Sequence, residues 1–226
     1  MHKSVVVMSG GLDSVVLAYY MQKAHGFDIL PLVFDYGQTN GEEIGCADRV
    51  ADSLGVQIKI ADVFALGELL ASGLTSFNEG GMDGEYNEES MKSTFVPNRN
   101  AILLSIAYGY AISQKAYSVS YGTHGGENGK HSLTPDCTPM FRQKIEAAFF
   151  EGNSRAHESL PYVTAPFILK SKADVVRIGA SLNVPFELSW SCYRNERLHC
   201  GVCGACTERK KAFASAGVVD PTEYLK

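Results

Sequence analysis

Ser9-Gly10-Gly11-Leu12-Asp13-Ser14 decides how this chain is read. Val5-Val6-Val7-Met8 before it is an apolar run that predicts a buried strand, and Val15 to Ala24 after it predicts a helix. A strand, a glycine turn and a helix in that order can place an anion at a helix N-terminus. Gly10 and Gly11 lack a Cβ, so backbone can approach a phosphate closely and reach positive φ at little cost. Ser9 and Ser14 add hydroxyl donors. Asp13 can cap the helix, hold a metal ion or orient an amine.

No lysine follows the glycines, so this is not a Walker loop, and G-x-G-x-x-G is also absent from it. The hexapeptide resembles the pyrophosphate-binding loop (PP-loop, S-G-G-x-D-S) of ATP pyrophosphatases. Those enzymes activate a carboxylate or amide oxygen by adenylation and release pyrophosphate.

The rest of the chain supplies a suitable frame. Its 226 residues fit one domain with a small appendage. Apolar residues make up 45% and charged residues 20%, ordinary for a globular protein. A net charge of −5 offers no basic tract for long nucleic-acid contacts. No apolar run approaches membrane-spanning length, and the N-terminus reads as a strand rather than a signal peptide.

Ile29 to Phe34 predicts a second strand, ending at Asp35-Tyr36-Gly37-Gln38. Ile44, Ala47, Ala51 and Leu54 recur at helical spacing, with Gly55 as a stop, and Val56 to Ala61 contains a third strand. Alternating strand and helix predicts an α/β fold: a Rossmann-like open parallel sheet, helices on both faces, ligands at the C-terminal strand ends. The turn from Asp35 should then line the same crevice as the glycine loop. Residues 72–93 are Gly-rich and acidic and are expected to be a mobile surface loop; a lid is one use of such a segment. Thr94-Phe95-Val96-Pro97-Asn98-Arg99-Asn100 leads into a helix over Ala101 to Gln114, with Asn98 or Asn100 as cap. Arg99 beside that N-terminus suits bidentate phosphate binding.

Tyr117 to Tyr121 predicts a fourth strand, followed by the flexible loop Gly122 to Gly129. Thr138 caps and Pro139 opens a helix to Phe150. Tyr162 to Phe167 is a fifth extended segment, and Ser171-Lys172-Ala173-Asp174 is a capping-box-like start to a helix over Ala173 to Leu182. Lys172 in that first turn is electrostatically out of place unless an anion offsets it, which points to a phosphate contact.

Four of six cysteines crowd near the C-terminus: Cys192, Cys200, Cys203 and Cys206, spaced C-x7-C-x2-C-x2-C. Four thiolates suit one structural tetrahedral Zn²⁺ per chain, with an iron–sulfur cluster as the rival. Such spacing without a signal peptide favours a metal and a reducing cytoplasm over disulfides. Gly201 and Gly204 are expected in tight turns of positive φ, and His199 as a rim residue. Cys46 falls in an amphipathic helix as a small buried group. Cys137 beside Asp136 falls in the candidate site.

The glycine loop, Thr94 to Asn100, Pro135-Asp136-Cys137, and Trp190-Ser191-Cys192-Tyr193 with the later cysteines occur in one order and spacing. Together they closely resemble the 7-cyano-7-deazaguanine synthases, almost end to end. The resemblance implies an ATP-dependent ligase of queuosine and deazapurine biosynthesis. ATP with Mg²⁺ adenylates 7-carboxy-7-deazaguanine, ammonia displaces AMP to give the amide, and a second ATP activates the amide oxygen toward the nitrile. It implies a nucleotide site of Met8, Ser9, Gly10, Gly11, Leu12, Asp13, Ser14 and Arg99. Asp13, Ser14 and Lys172 are then catalytic, and Cys192, Cys200, Cys203 and Cys206 hold zinc. Glu127, Asp136 and Cys137 are placed at the substrate, where a carboxylate can accept from the amino and ring N–H groups of a purine-like base. Residues 1–188 form the ATP-binding domain and 189–226 the zinc knuckle and C-terminal helix.

The sequence departs from the family where substrate is expected. The family commonly has Gly at position 98 and Arg at position 138, and an Asp in the segment that here carries Glu127 and runs longer through Asn128-Gly129-Lys130-His131-Ser132. A relative that stops at the amide, or acts on another deazaguanine acid, is therefore the alternative. A non-catalytic zinc-stabilised nucleotide-binding module is a further one. Expected partners are ATP, free ammonia and 7-carboxy-7-deazaguanine or a close analogue, with no membrane and no direct nucleic acid; a homodimer is left open.

Overall fold

The computed structural model describes residues 2–38, 42–70, 72, 83–84, 95–125, 135–155, 157, 159–194 and 196–225, with only the backbone of Glu68. Five strands form one parallel sheet in the order β3-β2-β1-β4-β5. They are β1 (Lys3–Val7), β2 (Asp28–Asp35), β3 (Lys59–Asp62), β4 (Ser118–Tyr121) and β5 (Tyr162–Thr164). The helices are α1 (Leu12–Tyr19), α2 (Glu42–Ser53), α3 (Ala65–Leu69), α4 (Arg99–Ser113), α5 (Pro139–Asn153), α6 (Lys172–Ser181) and α7 (Gly204–Ala216). The predicted α/β sheet is therefore observed.

The central strand explains the two layers. Val5 and Val6 are both fully buried, but alternation sends them to opposite faces. Val6 joins a core built with α1, α2, α6 and α7, through Val15, Val50, Val176 and Phe213. Val5 joins the other core, with Leu104, Ala107 and Tyr108 of α4 and Phe141 and Ile145 of α5. A third cluster surrounds the cysteines and contains Cys46 and Trp190. Sheet order reverses direction at β1, whose neighbours β2 and β4 carry the chain to opposite edges. The crevice beyond the C-terminal ends of β1 and β4 is thus the expected ligand position.

Several local signals worked as read. Thr138 Oγ1 accepts from Phe141 N at 3.1 Å, with Pro139 opening α5. Ser171 and Asp174 complete a reciprocal capping box on α6. Others did not. Helix α1 begins at Leu12, so Asp13 lies inside its first turn and Gly11 is the uncapped N-cap residue. The last turn of the predicted helix widens to a π-helix over Tyr20–Ala24. Asn98 occupies the N-cap position of α4 at φ 57° with no side-chain cap, while Asn100 lies within the helix. That left-handed backbone accounts for a family preference for glycine at 98, and asparagine is among the side chains that tolerate it best. Gly204 starts α7 and has no positive φ; Gly201, at φ 78°, does. The mobile loop expected over 72–93 lies almost entirely outside the described residues. Of its residues, Asp83 and Gly84 pack on the cysteine segment: Arg194 Nη2 donates to Asp83 Oδ1 at 2.7 Å and Gly84 N to Val202 O at 2.9 Å.

Edge strand β5 is covered by α5. Val163 N donates to Glu146 Oε1 at 2.9 Å, and Arg142 Nη1 donates to Val163 O at 2.8 Å. These side chains occupy backbone groups that would otherwise invite another strand.

Gly10 shows why a glycine is needed in the turn. Its φ is +86°, and a Cβ there would sit 2.1 Å from Glu43 O of α2. Gly10→Ala is expected to destabilise the fold by about 2–4 kcal/mol, combining left-handed strain with a backbone clash. A denaturant midpoint unchanged from wild type would show that α2 yields freely.

Candidate active site

The site is built from the loop after β1. Ser14 Oγ donates to Gly11 O at 2.9 Å and accepts from Ser9 N at 3.2 Å; Ser9 Oγ accepts from Gly11 N at 3.2 Å. The two serines thus fold the turn on itself. Trp190 N donates to Gly10 O at 2.9 Å, so the segment entering the cysteine cluster braces the same turn. Helix α1 starts without a side-chain cap, leaving its first N–H groups directed at the crevice. Met8 precedes this loop and Leu12 begins α1. Both side chains are buried in the core, and Met8 N donates to Leu32 O at 2.9 Å.

Asp13 opens a ring in which two carboxylates alternate with an ammonium and an imidazole. Lys172 Nζ lies 3.6 Å from Asp13 Oδ2 and 2.5 Å from Glu208 Oε2. His124 Nε2 lies 3.9 Å from Asp13 Oδ2 and 4.0 Å from Glu208 Oε1. Four elements meet here: α1, the loop after β4, the start of α6, and α7. Burial alone would lower the Lys172 ammonium; Asp13 and then Glu208 more than offset it and hold its pKa above the ordinary value. Asp13 Oδ1 is buried and has no hydrogen-bond partner among the described residues. A buried carboxylate oxygen without a donor is a fitting ligand for a cation.

A second group lies along β2, α2 and α4. The Tyr36 hydroxyl hydrogen-bonds with Arg99, and Asp136 and Tyr193 also act on the guanidinium. Burial by itself would lower Arg99, and these partners together raise it. Tyr193 acts electrostatically on Lys172 as well. Gln38 shapes the turn after β2, accepting from Tyr36 N at 3.0 Å and donating to Phe34 O at 3.2 Å. Asn100 Nδ2 lies 3.6 Å from Cys137 Sγ, which is 3.8 Å from Asp136 Oδ1. Arg99, Asp136 and Cys137 are therefore brought together. Glu127, expected beside them, lies outside the described residues, as do Thr94 and 128–132.

Burial pushes the Glu43 carboxyl up to about 7, with Arg99 opposing the shift. Its folded pKa exceeds its unfolded one, so the folded state binds the extra proton and stability falls as pH rises from about 4.5 through 7. Glu43→Gln is expected to flatten this loss and to stabilise the protein by about 1–3 kcal/mol at pH 8. Unfolding curves of both proteins at pH 5 and 8 check it; equal slopes would contradict it.

The four knuckle cysteines are buried, and their Sγ atoms lie within 4.8 Å of one another. Cys200 and Cys206 Sγ are 3.9 Å apart. Zn–S bonds of about 2.3 Å in a tetrahedron place sulfurs about 3.8 Å apart, so the donor set fits a single ion. Backbone N–H groups of Arg194 and Cys200 point at Cys192 Sγ at 3.4 Å, and Cys203 N points at Cys200 Sγ at 3.3 Å. Hydrogen bonds from Cys192 and then Cys206 pull the Cys203 thiol far below its usual range, concentrating negative charge on sulfur. His199 is not on the rim. It is buried against Trp190 at 4.2 Å, burial and the nearby Arg209 lower its pKa to about 4, and Nε2 accepts from Ser191 N at 3.1 Å.

His124, Glu208 and Arg209 were not singled out from sequence. Arg209 is fully buried and donates to Ser189 Oγ at 2.7 Å, Phe186 O at 3.1 Å and Asp220 Oδ1 at 3.2 Å. It fixes the rotation of α7 and hence the direction of Glu208.

The family model described as queuosine biosynthesis protein QueC matches residues 3–217. A protein of Rhizobium rhizogenes named 7-cyano-7-deazaguanine synthase is 44% identical over 225 residues, covering 98% of this chain and 92% of the relative. One of Brucella ovis with the same name is also 44% identical, covering 98% and 93%. Among solved structures, the U34-tRNA thiolase NcsA of Methanococcus maripaludis with its 4Fe-4S cluster matches at TM-score 0.47 and 16% identity, over 93% of this chain and 64% of that one. A likeness at that level carries nothing about chemistry. Among the described residues, no helix is long and apolar enough to cross a membrane.

Proposed function

The chain belongs to the family of queuosine biosynthesis protein QueC, and from that premise we propose that it converts 7-carboxy-7-deazaguanine and ammonia to 7-cyano-7-deazaguanine at the expense of ATP. The observation that carries the reading is the ring of Asp13, Lys172, His124 and Glu208 closing over the uncapped start of α1.

The chemistry needs a good leaving group in place of oxide. Attack of the substrate carboxylate on the α-phosphorus of ATP makes an acyl adenylate and expels pyrophosphate. The α1 N–H groups, Ser9, Ser14 and Lys172 are placed to take the charge that grows on pyrophosphate. Asp13, with its unpartnered oxygen, would hold Mg²⁺, which supplies further charge neutralisation when bound. Arg99 is a second cation for the nucleotide. Ammonia then displaces AMP. Adenylation of the amide oxygen sets up loss of AMP and of the remaining N–H protons to give the nitrile. Asp136 and Cys137 are assigned to the deazaguanine edge, with Glu127.

The knuckle is assigned one structural zinc ion. The close spacing of its sulfurs supports a single ion, because four irons interposed between the thiolates would hold them farther apart. Residues 1–188 serve the nucleotide and 189–226 form the knuckle. Free ammonia and a reducing cytoplasm complete the proposal.

Mass spectrometry of products from protein, Mg-ATP, ammonium and 7-carboxy-7-deazaguanine tests it. The nitrile with AMP is expected. Amide alone would move the endpoint to the truncated reaction, and absence of AMP would reduce the protein to a nucleotide-binding module.

A further inference from the structure

Glu208 stands apart from the residues assigned above. It is carried by α7, the helix that starts directly after Cys203 and whose first turn holds Cys206. One carboxylate oxygen reaches Lys172 and the other faces His124. The next residue, Arg209, is turned about 100° around the helix and is locked into the core by Ser189, Phe186 and Asp220. Helix rotation is therefore fixed from inside and helix start from the cysteines, and together they aim Glu208 at the crevice.

We propose that Glu208 is a positioning residue that couples the cysteine knuckle to the nucleotide site by holding Lys172 and His124 beside Asp13. The inference rests on the adenylation reading for its kinetic consequence but not for its structural one. Glu208 draws Lys172 away from Asp13: the ammonium sits 2.5 Å from Glu208 and 3.6 Å from Asp13. This keeps the Asp13 carboxylate open to a cation and the ammonium open to an anion. Without the Glu208 charge, Lys172 loses the closer of its two anionic partners and is no longer held in place beside Asp13. Loss of the knuckle metal has the same effect, because it releases the start of α7.

Two measurements on Glu208→Gln and Glu208→Asp test this. The first maps acylation of lysines by an amine-reactive ester with mass spectrometry. Lys172 is expected to react several-fold faster in Glu208→Gln and in chelated wild type than in metal-loaded wild type, with Glu208→Asp near wild type. The second is steady-state kinetics. Glu208→Gln is expected to lower kcat about 10- to 100-fold while KM for ATP changes less than about threefold, and Glu208→Asp to recover part of kcat. Unchanged Lys172 reactivity in Glu208→Gln overturns the proposal whether or not wild type makes the nitrile. Loss of metal or fold in both variants overturns it too, since Glu208 would then be a structural part of the knuckle. Wild-type protein that yields no AMP, with Lys172 reactivity changed as expected, counts against the synthase reading alone.

Discussion

Asp13→Asn is expected to lower kcat/KM for ATP by about 10²- to 10³-fold while leaving the fold and the metal content as they are. The two halves of that expectation have separate causes. Asp13 Oδ1 is buried without a partner among the described residues, and Oδ2 is shared between Lys172 at 3.6 Å and His124 at 3.9 Å. A carboxylate in that state contributes little to stability, and Lys172 keeps its closer partner, Glu208. The change in unfolding free energy is therefore expected to stay within about 1 kcal/mol. The catalytic loss is large because the group facing a Mg-triphosphate loses its charge, and charge neutralisation in the transition state is what a PP-loop supplies. Pre-steady-state AMP formation and thermal unfolding, measured on one preparation, check both halves. Collapse of the fold in Asp13→Asn would recast Asp13 as a structural residue of the first turn of α1.

Cys203→Ser is expected to have the largest effect on stability. Metal binding to four thiolates contributes on the order of 10–16 kcal/mol in small knuckles, and a serine hydroxyl is a far poorer ligand. Cys203 also immediately precedes α7, so the lost metal frees the start of the helix that carries Glu208 and Arg209. Metal content is expected to fall from one ion per chain to a small fraction. The C-terminal segment should become protease-sensitive, and activity should be lost together with Lys172 positioning. Elemental analysis with limited proteolysis measures this, and the same elemental analysis separates zinc from iron. Full metal retention with unchanged proteolysis would mean that the four sulfurs are not a metal site.

The sequence was most legible where neighbouring residues act together. The glycine loop, the Ser171–Asp174 capping box, the Thr138-Pro139 start and the cysteine spacing are local devices, and each has its meaning within a few residues. The buried run at Val5-Val6 was legible for the same reason. Residues that act across the chain were not. Thr207-Glu208-Arg209-Lys210-Lys211 reads as a solvated helix face, yet Arg209 is fully buried by partners 11 to 23 positions away. His124 was one residue of a polar loop until β4 placed it over Asp13.

The serines in the strands are a second case of the same kind. Ser4, Ser118 and Ser120 are buried inside the sheet, and their hydroxyls bond to one another and on to Thr164 at 2.9 Å. A polar residue in a strand looks exposed in sequence, and only the neighbouring strand reveals its partner.

Adenylation of acid and then amide sends the substrate's own oxygens away on AMP. Substrate labelled with ¹⁸O in both carboxylate oxygens and turned over with unlabelled ATP puts this to the test. One ¹⁸O in each AMP released and two AMP per nitrile are expected, since acid and amide oxygens are adenylated in turn. Unlabelled AMP beside nitrile product would mean that ATP is cleaved without activating the substrate, and would overturn the adenylation mechanism.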